Sequence, residues 1–221
     1  MRSIVIPSME CSRLALAYVL SPLALFFFGS IPFGYIAGRI NGVDLRQHGS
    51  GNIGATNAWR VLGKGWGSFA FAGDFFKGFL PLLALQYYTH WSHDNCYQGL
   101  YIVSGMAAVL GHNFTPWLRF NGGKGIATSA GVLAALLPIT FAIALTTWIV
   151  ITYLSRMVSV GSIAACCGLP VATVLFYPGQ WLYFAFALLT GVLGIWRHRS
   201  NITRIRAGTE SRIGQPKPKS S

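Results

Sequence analysis

G-I-A-T-S-A-G-V-L-A-A-L-L-P-I-T-F-A-I-A-L-T-T-W-I-V-I-T-Y-L, residues Gly125 to Leu154, is the stretch on which the fold turns: 30 residues with no charge and one proline near the middle. A helix crossing a ~30 Å hydrocarbon core needs roughly 20 residues. The stretch is long for one crossing and short for two. Proline removes a helical donor, so Leu137–Pro138 marks either a kink in one long helix or a tight turn between two helices. That choice decides on which side of a membrane every later residue lies.

Working outward, apolar segments fall at about 14–38, 66–89, 97–111, 125–137, 139–154, 158–177 and 180–196. If the central pair makes two crossings, the loops near 39–64, 112–124 and 156 and the C-terminal tail share one side. That side then collects 14 of the 17 Lys and Arg residues. The opposite loops, around His90–Asn95, Leu137–Pro138 and Tyr177–Gln180, carry none. A single crossing would move the seven cations after residue 196 to the other side, against the positive-inside rule. The expectation is an all-α polytopic membrane protein, a single domain over 1–221 forming a seven-transmembrane-helix bundle with its N-terminus outside and its C-terminus cytoplasmic. Five full crossings with two segments lying only partway in would keep the same parity.

Composition agrees. A length of 221 residues allows one domain. Mean hydropathy is +0.51, and only 10% of residues are charged, against about a quarter in soluble domains. In a soluble chain the net charge of +12 would raise nucleic acid as a partner. Here the cations lie in loops beside apolar runs, so orientation and anionic headgroups explain them, and no nucleic acid is expected. Arg2 and Arg13 precede a first apolar run too long for a signal peptide, with no A-x-A site after it. Gly29-Ser30-Ile31-Pro32 interrupts that run, and a retained first helix is expected. The polar segment 209–221, with two prolines, reads as a flexible tail. Cys166 and Cys167 read as packing residues; Cys11 and Cys96 fall on the outer side, placed to pair in an oxidising compartment.

The basic loops are rich in glycine, and glycine amides beside Arg and Lys are a common way to hold phosphate. The first contains G-S-G-N-I-G (49–54), a literal G-x-G-x-x-G. A dinucleotide site needs a strand before the motif, a helix after it and an acid about 20 residues on. Asp74 has the spacing but sits in an apolar segment, so that reading is rejected. What remains is a set of donors from Ser50, Gly51, Asn52, Gly54, Thr56 and Asn57, flanked by Arg46 and Arg60. The plain alternative is a glycine turn with solvated cations.

The second loop, N-G-G-K-G (121–125), opens an apolar helix with Thr128 and Ser129 in its first turn. Free amides at a helix start, together with Lys124, Gly122, Gly123 and Gly125, read as an anion site. It is not a Walker A loop, because Lys124 is followed by glycine. The third set, H-R-S-N (198–201), puts histidine and asparagine at helical i, i+3 spacing beyond the last span. His112 with Asn113 ends the third segment in similar fashion; each pair is either catalytic or interfacial. Asp74 and Lys77, at i, i+3 inside a span, read as a structural salt bridge. Five acids, none paired at ligand spacing, make a metal-clamping site unexpected. The H-x-x-x-x-D pattern of soluble-side glycerolipid acyltransferases is absent.

At these residues the chain resembles the bacterial acyl-phosphate:glycerol-3-phosphate acyltransferases over nearly its whole length. The matching motifs are G-S-I-P-F-G (29–34), D-L-R-Q-H-G-S-G-N-I-G-A-T-N (44–57), R-V-L-G-K (60–64), G-D-F-F-K-G (73–78), G-H-N-F (111–114), F-N-G-G-K-G-I-A-T-S (120–129), R-H-R-S-N-I-T-R (197–204) and G-T-E-S-R-I (208–213). Asn121 departs from the pattern, where a lysine or similar residue is expected.

The resemblance implies transfer of a fatty acyl group from acyl phosphate to the 1-hydroxyl of sn-glycerol 3-phosphate. The products are lysophosphatidic acid and phosphate, formed at the cytoplasmic face of the bacterial inner membrane. It implies a soluble partner enzyme that makes the acyl phosphate, and no cofactor. Functional residues would fall on Ser50, Arg60, Lys124 with its glycines, His198 and Asn201, and Glu210 would be a structural acid holding the tail. Both substrates carry phosphate and the donor is already an activated anhydride, so positioning and charge stabilisation carry most of the catalysis. In this reading Lys124, Arg60 and Ser50 hold the acyl phosphate, while His198 and Asn201 place the hydroxyl. A transporter for an organic phosphate is the alternative. It predicts cations deep in the spans or a broken helix at the midplane; all cations but Lys77 lie at or beyond one end of a span.

Overall fold

The structure, a computed structural model, describes residues 8–89 and 95–214, with side chains from 14 and from 97 onward in the two stretches. The side chains of Cys11 and Cys96 therefore lie outside the described residues. All regular structure among the described residues is helical. It divides into two compact units. The first holds α1 (Ser8–Gly29), α2 (Phe33–Ile40), α3 (Ala55–Leu62), α4 (Lys64–Tyr88), α5 (Asn95–Asn113), a 3-10 turn at Pro116–Leu118 and all but the first residue of α6 (Ile126–Leu136). The second holds α7 (Pro138–Ser155), α8 (Val158–Phe176), α9 (Trp181–Arg197) and α10 (Arg199–Arg206), and includes the short segment Lys124–Ile126.

Among the described residues four stretches are long and apolar enough to cross a membrane: Leu14–Ile40, Lys64–Tyr88, Pro138–Ser155 and Val158–Phe176. Ile126–Leu136 and Trp181–Arg197 are apolar but shorter. The chain is a multi-pass helical membrane protein. Leu137 leaves the helical region (φ −136°, ψ 65°) and Pro138 takes the first position of α7, where its missing N–H costs nothing. The 30-residue stretch is thus two helices and not one kinked rod.

In the first unit, the interruption at Ser30–Pro32 leaves backbone carbonyls that hydrocarbon cannot solvate. Side chains from elsewhere in the unit answer them. The Thr115 hydroxyl donates to the Ser30 carbonyl at 2.6 Å, and the Lys77 ammonium to the Ile31 carbonyl at 2.6 Å. Trp117 Nε1 donates to the Ser30 hydroxyl at 2.8 Å, which donates in turn to the Phe27 carbonyl. Helices here pack backbone to backbone, as small residues allow in membranes. A methyl group on Gly29 would lie 2.1 Å from the Ala108 carbonyl oxygen, and one on Gly111 would lie 2.1 Å from that of Phe26, so α1 and α5 could not approach as they do.

In the second unit, α7 and α8 are joined at Arg156, which takes the left-handed conformation (φ 59°). The tail does not leave from α10 freely. Thr209 N–H donates to the Arg204 carbonyl at 2.8 Å, and Ile213 N–H to the Arg156 carbonyl at 2.7 Å. The Arg156 guanidinium donates back to the Ile213 carbonyl at 3.0 Å. Residues 209–214 are therefore a tethered strap, correcting the expectation of a flexible tail from 209; 215–221 lie outside the described residues.

Candidate active site

The first loop is built around Asn57, which is 2% exposed. Its Oδ1 accepts from the Ser50 amide at 2.9 Å, and its Nδ2 donates to the carbonyls of Leu45, His48 and Asn52 at 3.1, 3.0 and 2.8 Å. Asn52 Oδ1 accepts from the Gly54 amide at 2.8 Å, and the Gly51 amide donates to the His48 carbonyl. Gly49 is left-handed (φ 63°), and a methyl there would meet Asn57 Oδ1 at 2.3 Å. The amides of Ser50, Gly51 and Gly54 are therefore committed within the loop. Gly51, Gly54 and Asn57, expected as ligands, are engaged inside the loop in this structure, where glycine lets the backbone close around one carboxamide.

The groups left over are side chains. The Ser50 hydroxyl and the Arg60 guanidinium have no partner among the described residues and are not bonded to each other; Thr56 is exposed. Arg46 is held by Asp44 through Nη2 at 2.6 Å and Nε at 2.9 Å, with its guanidinium 5.1 Å from the Tyr35 ring centre. The Arg46 side-chain bond keeps the Asp44 carboxyl down at about 2. Arg46 is thus a weaker candidate ligand than Arg60.

The second loop turns back on α5. Gly122 N–H donates to the Asn113 carbonyl and Gly123 N–H to that of His112, both at 3.1 Å. Methyl groups at these glycines would lie 2.0 Å from the His112 carbonyl oxygen and 2.1 Å from its Nε2. In this structure these two amides, expected to face an anion, cap a helix end. Gly125 is left-handed (φ 81°) just before α6. Thr128 is fully buried, its carbonyl and methyl against Gly78 of α4, so it belongs to a helix crossing and not to the loop surface. His112 is also internal: its Nδ1 lies 3.5 Å from Asp74 Oδ1, which takes the Lys77 ammonium at 2.7 Å. All three residues are nearly fully buried. Such a cluster holds together only because each charge has a partner.

The second unit gathers Lys124, Asn201 and Glu210. The Lys124 ammonium donates to Asn201 Oδ1. Asn201 Nδ2 donates to Glu210 Oε1 at 2.6 Å; the Ser159 hydroxyl reaches the same oxygen at 2.7 Å, and Arg204 Nε reaches Oε2 at 2.8 Å. Burial alone would raise the Glu210 carboxyl, but the bonds from Ser159, Asn201 and Arg204 outweigh it and hold it below its ordinary value. Ser159 and Arg204 were not singled out in the sequence, where nothing local marks either as a partner of Glu210.

His198, 2% exposed, sits between α9 and α10. Its Nδ1 lies 2.8 Å from the Gly194 carbonyl. A carbonyl only accepts, so Nδ1 carries the proton and Nε2 the lone pair. Burial first, then the Lys124 charge, push the imidazole down to about 4. It is neutral at pH 7 and can accept a proton. Among the described residues no three His, Cys, Asp or Glu gather at metal-ligand spacing.

Fold and side chains together describe a multi-pass helical membrane protein with basic, glycine-rich loops and a buried histidine that is neutral at pH 7. The glycerol-3-phosphate acyltransferase family model matches residues 19–208. The chain is 42% identical over 200 residues to a glycerol-3-phosphate acyltransferase of Desulforudis audaxviator, covering 90% of this chain and 97% of that one. It is 39% identical to one from Desulforamulus reducens, covering 88% and 94%. It also resembles the crystal structure of PlsY (YgiH), an integral membrane glycerol 3-phosphate acyltransferase, in its glycerol 3-phosphate form: TM-score 0.80, 37% identity, 89% of this chain and 96% of that one. The chain belongs to the glycerol-3-phosphate acyltransferase family and is an acyltransferase.

Proposed function

We propose that the protein transfers a fatty acyl group from acyl phosphate to the 1-hydroxyl of sn-glycerol 3-phosphate, giving lysophosphatidic acid and inorganic phosphate. Support comes from the family, and from solved relatives described in glycerol 3-phosphate and lysophosphatidic acid forms. The observation that carries the chemistry is His198, a buried neutral imidazole whose unit also holds the Lys124 ammonium.

In the reaction the glycerol hydroxyl oxygen bonds to the acyl carbon and the bond from that carbon to the phosphate oxygen breaks. The hydroxyl proton passes to His198 Nε2 or to an oxygen of the departing phosphate. Within the first unit the unpartnered Ser50 hydroxyl and Arg60 guanidinium are the candidate anion ligands; within the second, Lys124 is. Charges preorganised in this way favour the transition state without reorganising. Asn201, engaged at both ends of its carboxamide, acts through Lys124 and not directly on the hydroxyl. The surrounding architecture is seven crossings with the N-terminus outside, the basic loops at the cytoplasmic face of a bacterial inner membrane, and a soluble enzyme supplying the acyl phosphate. The charge distribution of the loops supports that orientation.

The test is phosphate release and lysophosphatidate formation by purified protein given palmitoyl phosphate and glycerol 3-phosphate, with Lys124→Ala alongside. Turnover by the wild type that the variant lacks is expected. A folded wild type inert toward palmitoyl phosphate would remove the donor assignment, and loss of turnover on adding EDTA would remove the metal-free one.

A further inference from the structure

A carboxamide fits its site in two orientations related by a half turn, and Asn201 has a charged group at each end. Turned the other way, its NH2 would face the Lys124 ammonium and its oxygen would face the Glu210 carboxylate. Glu210 therefore selects the orientation that offers Lys124 an acceptor. What fixes Glu210 is the next question. Arg204, on the same helix as Asn201 and three residues on, moves with it. Ser159 belongs to α8 and is the donor on this carboxylate from outside α10 and the strap. It lies in the first turn of α8, where unpaired amides and the helix dipole favour a carboxylate. The strap 209–214, pinned at Ile213 to Arg156 one turn earlier, brings Glu210 to that turn.

We propose that Ser159 is a positioning residue of the acyl-transfer site, and that the strap serves to present Glu210 to it, so that Glu210 orients Asn201 and Asn201 holds Lys124. This rests on the reading of Lys124 as the acyl phosphate's cation. A partly buried carboxylate stripped of its serine donor loses its fixed place, and the orientation of Asn201 loosens with it.

The experiment compares full-length protein with Ser159→Ala, Ser159→Thr and chains ending after Gly214 or after Gly208, all purified in detergent. Ser159→Ala is expected to raise KM for palmitoyl phosphate about ten-fold while KM for glycerol 3-phosphate stays put, the loss of one hydrogen bond to a charged group. Ser159→Thr, which keeps the hydroxyl, restores the wild-type value. The chain ending after Gly214 behaves as wild type, and the one ending after Gly208 matches or exceeds the Ser159→Ala defect. A second readout needs no turnover: acetylation of Lys124 by sulfosuccinimidyl acetate, followed by mass spectrometry, speeds up in Ser159→Ala and in the shorter chain because Asn201 no longer holds the amine as firmly. Unchanged KM and unchanged Lys124 acetylation in both would overturn the proposal. A loss that lowers kcat alone would also overturn it, marking Ser159 as merely structural. If the wild type ignores palmitoyl phosphate, the donor reading fails, and the acetylation rates still decide whether Ser159 positions Lys124.

Discussion

Asn57 and Asn201 are both buried, one in each unit, and do opposite things. Asn57 is surrounded by backbone: one amide on its oxygen and three carbonyls on its nitrogen. Asn201 is surrounded by charge: an ammonium on its oxygen and a carboxylate on its nitrogen. The first shapes a loop and leaves the side chains of Ser50 and Arg60 without a partner among the described residues. The second joins the Lys124 ammonium to the Glu210 carboxylate. One residue type is a template in one unit and a relay in the other, and substitutions should separate the two roles.

Asn57→Asp is the harshest test. A carboxylate keeps the Ser50 amide on one oxygen but cannot donate to the three carbonyls, so its other oxygen is set against acceptors, at a cost of about 3 kcal/mol or more. A large fall in melting temperature in detergent is expected, with activity lost alongside; a variant that melts like wild type would break the template role. Next in size, Arg60→Ala should lower kcat/KM roughly 10²–10³-fold, the range for removing one preorganised donor. Its melting temperature should not move, because the guanidinium supports nothing in the fold. An equal loss of stability would show that the first loop, too, uses its cations structurally.

Asn201→Asp should behave unlike Asn57→Asp. Its new carboxylate suits Lys124 and opposes Glu210, so one of the two carboxyls gains a proton more readily. A loss of activity of about ten-fold at neutral pH, shrinking on acidification, is the outcome that marks a charge relay. Acidification also reads His198. Its pKa is lowered in the fold from 6.5 to about 4, so between these values the unfolded chain binds the proton and the folded chain does not. Stability present above 6.5 therefore falls as pH drops and levels off below about 4. The acid limb of kcat/KM, which reports the free enzyme, should lie near 4 and not at 6.5. His198→Gln that keeps the same limb with modest loss would remove histidine as the required base. The smallest effect belongs to Asp44→Asn: it frees the exposed Arg46, and neither melting nor KM should change measurably.

Much of this was open to reading from the chain. Apolar segments, the interruption at Ser30–Pro32, the helix break at Leu137–Pro138 and the i, i+3 pair Asp74–Lys77 are all local patterns, and local patterns survive folding. The failures share a cause. Glycine next to a cation looks the same whether its amide binds an anion or its missing Cβ lets two backbones touch; at Gly122 and Gly123 the second holds. Thr128 follows a lysine loop in sequence, yet helix phase turns it onto Gly78. The strap looked unstructured because its partners, Arg156 and Ser159, lie about fifty residues away and say nothing about it locally.

Lys77 has a consequence for how the chain is made. Its acceptor, the Ile31 carbonyl, lies 46 residues upstream, and Asp74 three residues upstream. During synthesis from the N-terminus both acceptors are already in place when the lysine reaches the bilayer. His112 arrives later and adds to a pair already formed. The interruption in the first helix thus works as a waiting berth: a break that would be a liability in an isolated span becomes the means by which the next span can be inserted with a charge in it.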